Sequence, residues 1–246
     1  MNQKSDSVHD PEMIDELMLS ALAMSNAPNY NRWIADLIGE YLYRDVLEVG
    51  CGVGNFSRFL LESPRVRSLH CIDISNAAIA YCREHFQNDK IRFDRMGVDE
   101  LKGKYDTIIC LNVLEHIEDD IQSLHHMISL LQPGGFLFLL VPAHSWLFCR
   151  WDEAAGHWRR YNKRGVLRVL RQSVGDLTPF NIRQFYFNAI GALGYFLVFR
   201  LLRESPRQAG ISKIGFFDRF LVPILRHIEG DWLPFGISVI TVIEKR

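Results

Sequence analysis

A glycine-rich turn that follows a hydrophobic segment is the part of the sequence best suited to hold a small ligand. Residues 46–54 read V-L-E-V-G-C-G-V-G, and a helical pattern begins immediately after them. Glycine has no Cβ, so the backbone N–H groups of a turn at the start of a helix can approach a ligand closely. The turn therefore predicts a ligand-binding loop, with Glu48 as an acidic side chain beside it.

The spacing of the glycines excludes two common phosphate-binding loops. A dinucleotide-binding turn requires G-x-G-x-x-G, but Asn55 and Ser57 occupy the two positions at which its third glycine would fall. A P-loop requires Gly-Lys-Ser/Thr after the turn, and the sequence lacks this motif. The loop is therefore expected to bind a ligand that is less anionic than a pyrophosphate.

A carboxylate follows the turn at the distance expected for a neighbouring strand. Asp73 ends an apolar segment about twenty residues after the glycines, where a carboxylate can accept two hydrogen bonds from a ribose diol. The same side chain can instead cap a helix that begins at Asn76, for which Ser75 is a second candidate. The first interpretation makes Asp73 the predicted ribose ligand, and the second makes it structural.

An alternating series of strands and helices is needed to position these residues. Short apolar runs predict seven strands, near residues 45–49, 68–72, 91–93, 107–111, 136–141, 181–187 and 237–243. Apolar residues at helical spacing predict helices near residues 11–24, 28–43, 55–62, 76–86, 120–131 and 163–173. The expected fold is α/β, a doubly wound and mostly parallel seven-stranded sheet, which binds ligands at the carboxyl ends of its strands.

Four motifs in this order resemble those of class I S-adenosylmethionine-dependent methyltransferases. Residues 46–54 are similar to the first motif of that family, E/D-x-G-x-G-x-G, and Asp73 follows at the end of the second strand. Residues 105–116, Y-D-T-I-I-C-L-N-V-L-E-H, resemble the fourth-strand motif. Residues 131–135, L-Q-P-G-G, resemble the turn into the fifth strand. The resemblance implies a Rossmann-like methyltransferase fold and S-adenosylmethionine as the cofactor.

The resemblance also implies which residues bind that cofactor. The glycine turn would lie against the amino-acid end of the cofactor, and Glu48 would help to hold its ammonium group. The predicted cofactor-binding set is Glu48, Gly50, Cys51, Gly52, Gly54, Asp73, Ile74, Gly97, Val98, Asn112 and Val113. The chain departs from the family after the third strand, where a Gly-Asp pair often faces the adenine. Met96 and Gly97 stand there in this sequence, and Asp99 is the available substitute for the carboxylate.

Asn112 has a second interpretation, which it shares with Glu115. Both residues either line the methyl-donor pocket or satisfy the start of the helix that opens near Asp119. The sequence leaves both possibilities open.

The segment after the fifth strand carries residues suited to act on a methyl acceptor. His144 and His157 are the candidate catalytic bases, because a histidine near neutral pKa can take a proton from a hydroxyl, thiol or ammonium acceptor. The predicted substrate-binding residues are His116, Trp146, Arg159, Arg160 and Tyr161. Two plainer interpretations stay open, namely His116 as a packed structural histidine and the arginines as part of a solvated positive loop.

Two short segments narrow the resemblance to a bacterial subgroup of these methyltransferases whose substrate is unassigned. They are the V-P-A-H turn at residues 141–144 and the G-H-W-R-R-Y segment at residues 156–161. The subgroup does not identify an acceptor.

The chain is expected to form one methyltransferase domain with two additions. A helical extension covers residues 1–43, the cofactor-binding core residues 44–187, an apolar helical insertion residues 188–236, and the final strand residues 237–246. The insertion predicts two apolar helices, the second of them broken or kinked at Pro223. Its apolar surface is flanked by Arg200, Arg203, Arg207 and Lys213.

Three roles for the insertion are open. The basic residues beside its apolar surface suit an anionic membrane surface or a lipid-linked substrate. An ordinary helical cap packed on the sheet and a dimer interface are the alternatives. The number of chains in the assembly cannot be read from the sequence.

The amino-acid composition limits which partners, metal sites and cellular locations are expected. The chain has 28 Lys and Arg against 29 Asp and Glu, so no overall positive field predicts a nucleic-acid partner. Its five cysteines are scattered singly, which suits a reducing compartment and predicts no metal site. The first ten residues do not resemble a signal peptide, and the longest apolar run, residues 185–199, is short for a membrane span. A cytoplasmic protein, with peripheral membrane contact as a variant, is expected.

The functional expectation is methyl transfer from S-adenosylmethionine to a small or lipophilic acceptor, with oxygen as the favoured atom. The alternative is a catalytically degenerate protein of the same fold that acts as a scaffold or a membrane-peripheral binding protein. A nicotinamide-dependent oxidoreductase is disfavoured by Asn55 and Ser57 in the glycine loop.

Overall fold

The computed structural model describes residues 25, 27–195, 215–230 and 232–246. The predicted helix at residues 11–24 and the basic residues at positions 200, 203, 207 and 213 lie outside the described residues. One seven-stranded sheet with the order β3-β2-β1-β4-β5-β7-β6 forms the centre of the described chain. Its strands are β1 Arg44–Val49, β2 Val66–Asp73, β3 Ile91–Arg95, β4 Tyr105–Leu111, β5 Leu131–Pro142, β6 Phe180–Phe187 and β7 Ser238–Lys245.

Helices cover both faces of this sheet. The α-helices are α1 Pro28–Gly39, α2 Ser57–Leu61, α3 Asn76–His85, α4 Asp120–Ser129, α5 Arg150–Ala154, α6 Lys163–Val174, α7 Ala189–Tyr195 and α8 Val222–Ile228. Short 3₁₀ turns at Val98–Glu100, Leu114–His116 and Ser145–Leu147 follow β3, β4 and β5. A π-helical segment, Phe217–Leu221, leads directly into α8.

The direction of the strands determines where functional residues can meet. The pairs β1–β2, β1–β4, β2–β3 and β4–β5 are parallel, whereas β7 runs antiparallel to both β5 and β6. β6 is therefore parallel to β5, and six strands end at the same edge of the sheet. The doubly wound, mostly parallel seven-stranded fold expected from the sequence is confirmed.

Alternating side chains of the strands divide the core into two apolar layers. In β1, Val46 belongs to the cluster on one face of the sheet and Leu47 to the cluster on the other, and both are fully buried. Successive side chains of a strand point to opposite faces, so a sheet covered by helices on both sides requires apolar runs rather than strict alternation. This is why uninterrupted apolar runs in the sequence predict the strands correctly.

Two predicted boundaries differ from the structure for local reasons. β5 begins at Leu131 rather than near residue 136, because Leu131 pairs with Tyr105 before residues 132–135 loop out as an irregularity in the ladder. α1 ends at Gly39 rather than at residue 43, since Tyr41 N–H turns back to the Ile38 carbonyl. The glycine lacks the side chain that would favour another helical turn.

The insertion between β6 and β7 packs against α1 where it is described. Val222 and Leu225 of α8 are buried in the same apolar cluster as Trp33 and Ile34 of α1. Pro223 lies in the first turn of α8, and the preceding helix widens into the π-helical segment. Proline lacks an N–H and crowds the carbonyl four residues before it, which accounts for the π-helical segment just before Pro223. The helix predicted to break or kink at Pro223 runs on without a break from this segment into α8.

Asp218 in the π-helical segment caps α1 from a distant part of the sequence. Its carboxylate accepts hydrogen bonds from the Asn29 and Tyr30 N–H groups at 3.1 and 2.7 Å, and also from the Asn29 side chain. Ala27 holds the N-cap position and offers no side-chain hydrogen bond. Asp218 therefore supplies the cap that the local sequence lacks, and it does so while almost fully buried.

The outer face of the same segment is apolar and exposed. Phe216, Phe220, Ile224 and Ile228 follow one another at intervals of four residues and have between 53% and 63% of their surface exposed. Arg219 and Arg226 flank this stripe. Within the described part of the chain, no helix combines the length and apolar character needed to cross a membrane.

Candidate active site

The predicted cofactor residues come together at the carboxyl edge of the sheet. The glycine turn follows β1, Asp73 ends β2, and Asn112 and Val113 follow β4. A Cβ added to Gly50 would lie 2.2 Å from a methyl carbon of Val113, so the turn after β1 packs directly against the segment after β4. Only a residue without a side chain permits this approach.

The glycine turn has the backbone conformation that its composition predicts. Gly50, Gly52 and Gly54 have φ angles of +70°, +53° and +76°, a region that other residues rarely adopt. The Gly50 and Cys51 N–H groups bond to the Ile72 carbonyl of β2 at 2.8 and 3.0 Å. The turn is therefore anchored to the neighbouring strand and curls across the end of the sheet.

Asp73 is bound to this turn through its carboxylate. Its Oδ2 accepts a hydrogen bond from Gly52 N–H at 2.8 Å, and its Oδ1 accepts one from Ser75 N–H at 2.9 Å. Burial raises the pKa of Asp73, and the bonds from the Ser75 and Gly52 backbone oppose that rise. Ser75, not Asp73, caps α3, because its Oγ accepts the hydrogen bond from Ala78 N–H.

Glu48 is an almost fully buried acid beside the turn. Its Oε2 accepts hydrogen bonds from Ser57 Oγ at 2.5 Å and from Cys71 Sγ at 3.4 Å. Burial raises the pKa of Glu48 to about 7, against the lowering effect of these two bonds. The carboxyl group therefore changes charge near neutral pH, and a nearby cation would favour its ionised form.

The other predicted cofactor residues border the same region. Cys51 is buried in the turn, and Ile74 follows Asp73 with its carbonyl bonded to Arg95. Val98 is buried, and Gly97 N–H bonds to the Glu100 side chain at 2.8 Å in the 3₁₀ turn after β3. Asp99 in that turn is exposed.

Asn112 has a positive φ of +53° at the end of β4, and its N–H bonds to the Leu140 carbonyl of β5 at 2.8 Å. Its side chain is exposed, whereas the start of α4 is capped by Asp119, whose carboxylate accepts from Gln122 N–H. The helix therefore does not need Asn112, and the exposed amide is available to a ligand.

A long loop after β5 folds back over the same edge. Ala143 pairs with Tyr161. His144 N–H donates to the Tyr161 carbonyl at 2.6 Å, and Tyr161 N–H donates to the Pro142 carbonyl at 2.9 Å. Trp158 N–H bonds to the Glu115 carbonyl at 2.8 Å. These contacts join the loop to the ends of both β4 and β5.

Arg160 and Asp152 hold the loop from within. Asp152 is fully buried; its Oδ1 accepts from Arg160 Nε at 2.7 Å and lies 2.9 Å from His157 Nδ1. Burial alone raises the pKa of Asp152, but the bonds with His157 and Arg160 lower it to about 2. Arg160 also donates to the Ala143 carbonyl at 3.2 Å. The guanidinium of Arg160, a predicted substrate-binding residue, is buried and pairs with groups of the loop and the end of β5.

Arg159 and Tyr161 also form ion-pair and hydrogen-bond contacts within the protein. Arg159 forms an ion pair with Asp120 at 2.8 Å and donates to the Glu118 carbonyl. The Tyr161 hydroxyl donates to Asp120 Oδ2 at 2.9 Å, and the tyrosine is buried. These contacts join the loop to α4, a role that the sequence analysis did not include for either residue.

His144 lies at the end of β5 in a strained conformation. Its φ is +62°, and its Nε2 is buried without a hydrogen-bond partner among the described residues. The imidazole stacks on Tyr186 with ring centroids 5.0 Å apart and lies near the exposed indole of Trp146. Burial lowers the pKa of His144, so the ring is neutral at physiological pH and its Nε2 can accept a proton.

His116 and its neighbour Glu115 form a polar cluster with His157. The rings of His116 and His157 meet edge to face with centroids 4.6 Å apart, and burial followed by repulsion from His157 lowers the pKa of His116 to about 3. Glu115 is fully buried, and neither of its carboxyl oxygens has a hydrogen-bond partner among the described residues. Sequence reasoning missed this cluster, because its members lie about forty residues apart and meet only through the backbone contact between Trp158 and Glu115.

This sheet order, together with a glycine turn and an acidic residue at the carboxyl edge, defines the Rossmann-like fold of S-adenosylmethionine-dependent methyltransferases. The chain belongs to the methyltransferase domain family, whose model matches residues 12–173.

Curated relatives are similar in sequence to part of this chain. The mitochondrial ubiquinone biosynthesis O-methyltransferase of Saccharomyces cerevisiae is 34% identical over 100 residues, which are 38% of this chain and 32% of that protein. The ubiquinone biosynthesis O-methyltransferase of Bordetella avium is 30% identical over 112 residues, 43% of this chain and 46% of that protein. The match spans less than half the length of either relative.

Solved structures share the fold over nearly the whole chain. A plantazolicin methyltransferase in complex with a monoazolic desmethylPZN analogue and S-adenosylhomocysteine has a TM-score of 0.65 at 13% identity, and the match covers 99% of this chain and 93% of that chain. The magnesium protoporphyrin IX methyltransferase of Synechocystis PCC 6803 with bound S-adenosylmethionine has a TM-score of 0.53 at 16% identity. This match covers 92% of this chain and 81% of that chain. At these identities the likeness concerns the fold.

Proposed function

We propose that this protein transfers a methyl group from S-adenosylmethionine to an oxygen of a small, lipophilic acceptor. The observation that carries the proposal is the bonded pair of the glycine turn and Asp73, in which Gly52 N–H donates to the Asp73 carboxylate at 2.8 Å. This pair combines a turn that a ligand can approach closely with an acid that has further lone pairs for a ribose diol.

The residues around this pair fit the cofactor group by group. Glu48 is a buried acid that a cationic ammonium group would compensate. Asp73 suits the ribose hydroxyls, while Gly97, Val98 and the exposed Asn112 border the remaining space. S-adenosylmethionine supplies an activated methyl group, so the protein's own contribution is to hold donor and acceptor in line.

The names of the curated relatives support an oxygen atom as the methyl acceptor. The yeast and Bordetella proteins are named O-methyltransferases, and they match about two-fifths of this chain. An oxygen acceptor that carries a proton needs a base, and His144 Nε2 is a buried, unpaired nitrogen at the end of β5. We therefore assign the base to His144, whereas His157 is engaged with Asp152.

The apolar surroundings of His144 support a lipophilic acceptor. Its ring stacks on Tyr186 at the end of β6 and approaches Trp146, which is 59% exposed. The insertion begins two residues after Tyr186 and carries the exposed stripe of Phe216, Phe220, Ile224 and Ile228. A lipid-linked acceptor can use both surfaces, with the stripe resting on the membrane that holds the acceptor.

The proposal is tested by calorimetric titration of S-adenosylmethionine, S-adenosylhomocysteine and NAD into the wild type and an Asp73→Ala variant. We expect the two sulfur compounds to bind the wild type and NAD to fail. Removal of two charge-assisted hydrogen bonds to the ribose should weaken binding by a factor of about ten to one hundred.

Asp89→Ala is the matched control, because Asp89 is an exposed carboxylate just before β3, at the opposite edge of the sheet. It should bind like the wild type. If neither sulfur compound binds the wild type, the proposal fails and the scaffold alternative gains weight. If Asp73→Ala and Asp89→Ala bind equally well, Asp73 is not the ribose ligand.

A further inference from the structure

The cluster of Glu115, His116 and His157 contains an orphaned buried carboxyl group. Glu115 has no exposed surface, and both of its oxygens lack hydrogen-bond partners among the described residues. An unsatisfied buried carboxyl group costs on the order of several kcal/mol, so folded proteins usually provide a donor or a cation for it. The two unpaired oxygens of Glu115 are therefore suited to bind a ligand that accepts electron pairs.

The two histidines next to this acid offer nitrogen atoms at matching positions. One ligand atom from each of Glu115, His116 and His157 lies within 4.8 Å of the other two. Metal–ligand distances of about 2.1 Å bring three such atoms onto one ion after small side-chain rotations. His157 is 7% exposed at its side chain and His116 is half-buried, so the cluster lies close below the surface.

Neighbouring groups already orient both imidazoles. His157 Nδ1 is hydrogen-bonded to Asp152 at 2.9 Å, which leaves Nε2 as its ligand atom. Histidines that bind metals usually make such a bond through their second nitrogen, because it fixes the ring and its tautomer. The ring of His116 meets the ring of His157 edge to face, with centroids 4.6 Å apart. Arg160, the nearby cation, is paired with Asp152.

We propose that Glu115, His116 and His157 bind a divalent transition-metal ion of the Zn²⁺ type. Two imidazoles and one carboxylate suit Zn²⁺, Fe²⁺ or Co²⁺ rather than the all-oxygen environment that Mg²⁺ prefers. Three protein ligands leave at least one coordination position open. Glu115 and His116 follow β4 directly, and His157 lies in the loop after β5, at the edge of the sheet where the glycine turn lies.

An open position gives the site a role that rests on the proposed methyl transfer to oxygen. A hydroxyl oxygen bound to a divalent ion loses its proton more readily than a free hydroxyl. The ion site would therefore bind and orient the acceptor. Binding of the ion itself does not depend on that function.

The test uses the full chain, stripped with a chelator, desalted and titrated with Co²⁺ while the visible absorption is followed. We expect one Co²⁺ per chain, a spectrum of nitrogen and oxygen ligands, and displacement by Zn²⁺. Glu115→Gln keeps the shape of the side chain and His157→Asn keeps a donor for Asp152, and each should weaken binding at least tenfold. His85→Ala removes an exposed histidine elsewhere and should bind like the wild type.

Circular dichroism melting of each variant separates loss of the ion from loss of the fold. Zn²⁺ should raise the melting temperature of the wild type and of His85→Ala, but not of Glu115→Gln or His157→Asn. The proposal is overturned if Co²⁺ fails to bind the wild type saturably, if both ligand variants bind as tightly as the wild type, or if a thiolate charge-transfer band assigns the ion to cysteine. A parallel titration with S-adenosylmethionine reports on the methyltransferase proposal separately.

Discussion

At the scale of single residues, Glu48 connects the electrostatics of the site to pH. Its pKa of about 7 in the folded chain exceeds the ordinary value of 4.5, because the side chain is buried. The folded state therefore binds a proton that the unfolded state releases between these two values. The stabilisation is complete below pH 4.5 and is lost as the pH rises through about 7, a difference of about 3 kcal/mol at most.

The affinity for S-adenosylmethionine should change with pH in the opposite direction to this stabilisation. The ionised form of Glu48 attracts the ammonium group of S-adenosylmethionine, so affinity should rise up to about tenfold per pH unit as the pH approaches 7 from below and then level off. Calorimetric titrations from pH 5.5 to 8.5 measure this profile. Glu48→Gln should give a much flatter profile, while the exposed Glu62→Gln should retain the wild-type one. Identical profiles in all three proteins would assign the ammonium to another group.

His144 permits a second residue-scale prediction. Its unpaired Nε2 should act as the base that deprotonates the acceptor, so His144→Gln should lower kcat about a hundredfold or more and leave the affinity for S-adenosylmethionine unchanged. The rate of methyl transfer to a panel of alkyl-substituted phenols, measured against pH, checks this. The wild-type profile should lose activity at acid pH, and the variant should lose that dependence. A variant that keeps the wild-type rate and profile would contradict the role.

At the scale of elements, the cap on α1 is supplied by the insertion. Asp218 accepts hydrogen bonds from the Asn29 and Tyr30 N–H groups, and its negative charge lies at the positive end of the helix. Asp218→Ala should therefore lower the free energy of unfolding by about 2 kcal/mol, with Asp218→Asn in between. Urea denaturation measures the change.

Asp36→Ala is the matched control for this prediction. Asp36 of α1 forms an exposed ion pair at 2.8 Å with Arg226 of α8, which follows the π-helical segment that carries Asp218. Exposed pairs contribute little, so this variant should lie within about 0.5 kcal/mol of the wild type. Equal effects of the two substitutions would mean that the cap is not what joins the helices.

Elements with local signals could be predicted from the sequence, and contacts between distant segments could not. β1 and the turn after it were evident, because an apolar run and closely spaced glycines are both local patterns. The sequence does not reveal that buried Asp152 and Asp120 pair with Arg160 and Tyr161, because these partners lie in other segments of the fold. Glu115 and His157 meet only once the loop after β5 folds back onto β4.

At the scale of the whole molecule, one edge of the sheet gathers every functional segment. Six strands end there, so the glycine turn, the loop after β5 and the start of the insertion emerge side by side. The two apolar layers on the faces of the sheet hold this edge rigid, and the variable segments project from it.

The stripe should bind membranes through its apolar residues. Full-length protein should sediment with vesicles of phosphatidylcholine and phosphatidylglycerol, and a Phe220→Ser, Ile224→Ser double variant should bind at least tenfold more weakly, since each side chain loses about 1.5–3 kcal/mol of burial. Tyr43→Ser removes an exposed aromatic residue just before β1, at the opposite edge, and should bind normally. If the double variant instead changes the mass of the protein in solution and leaves vesicle binding intact, the stripe is a contact between chains.

The cap on α1 also bears on the order in which the chain can be completed during translation. Asn29 leaves the ribosome early, but Asp218 is added 189 residues later. Throughout that interval the first turn of α1 must satisfy its N–H groups with water or with transient partners. α1 therefore reaches its final stability only after nearly all strands of the sheet have been made. A chaperone that acts on the nascent chain would meet α1 in its uncapped form.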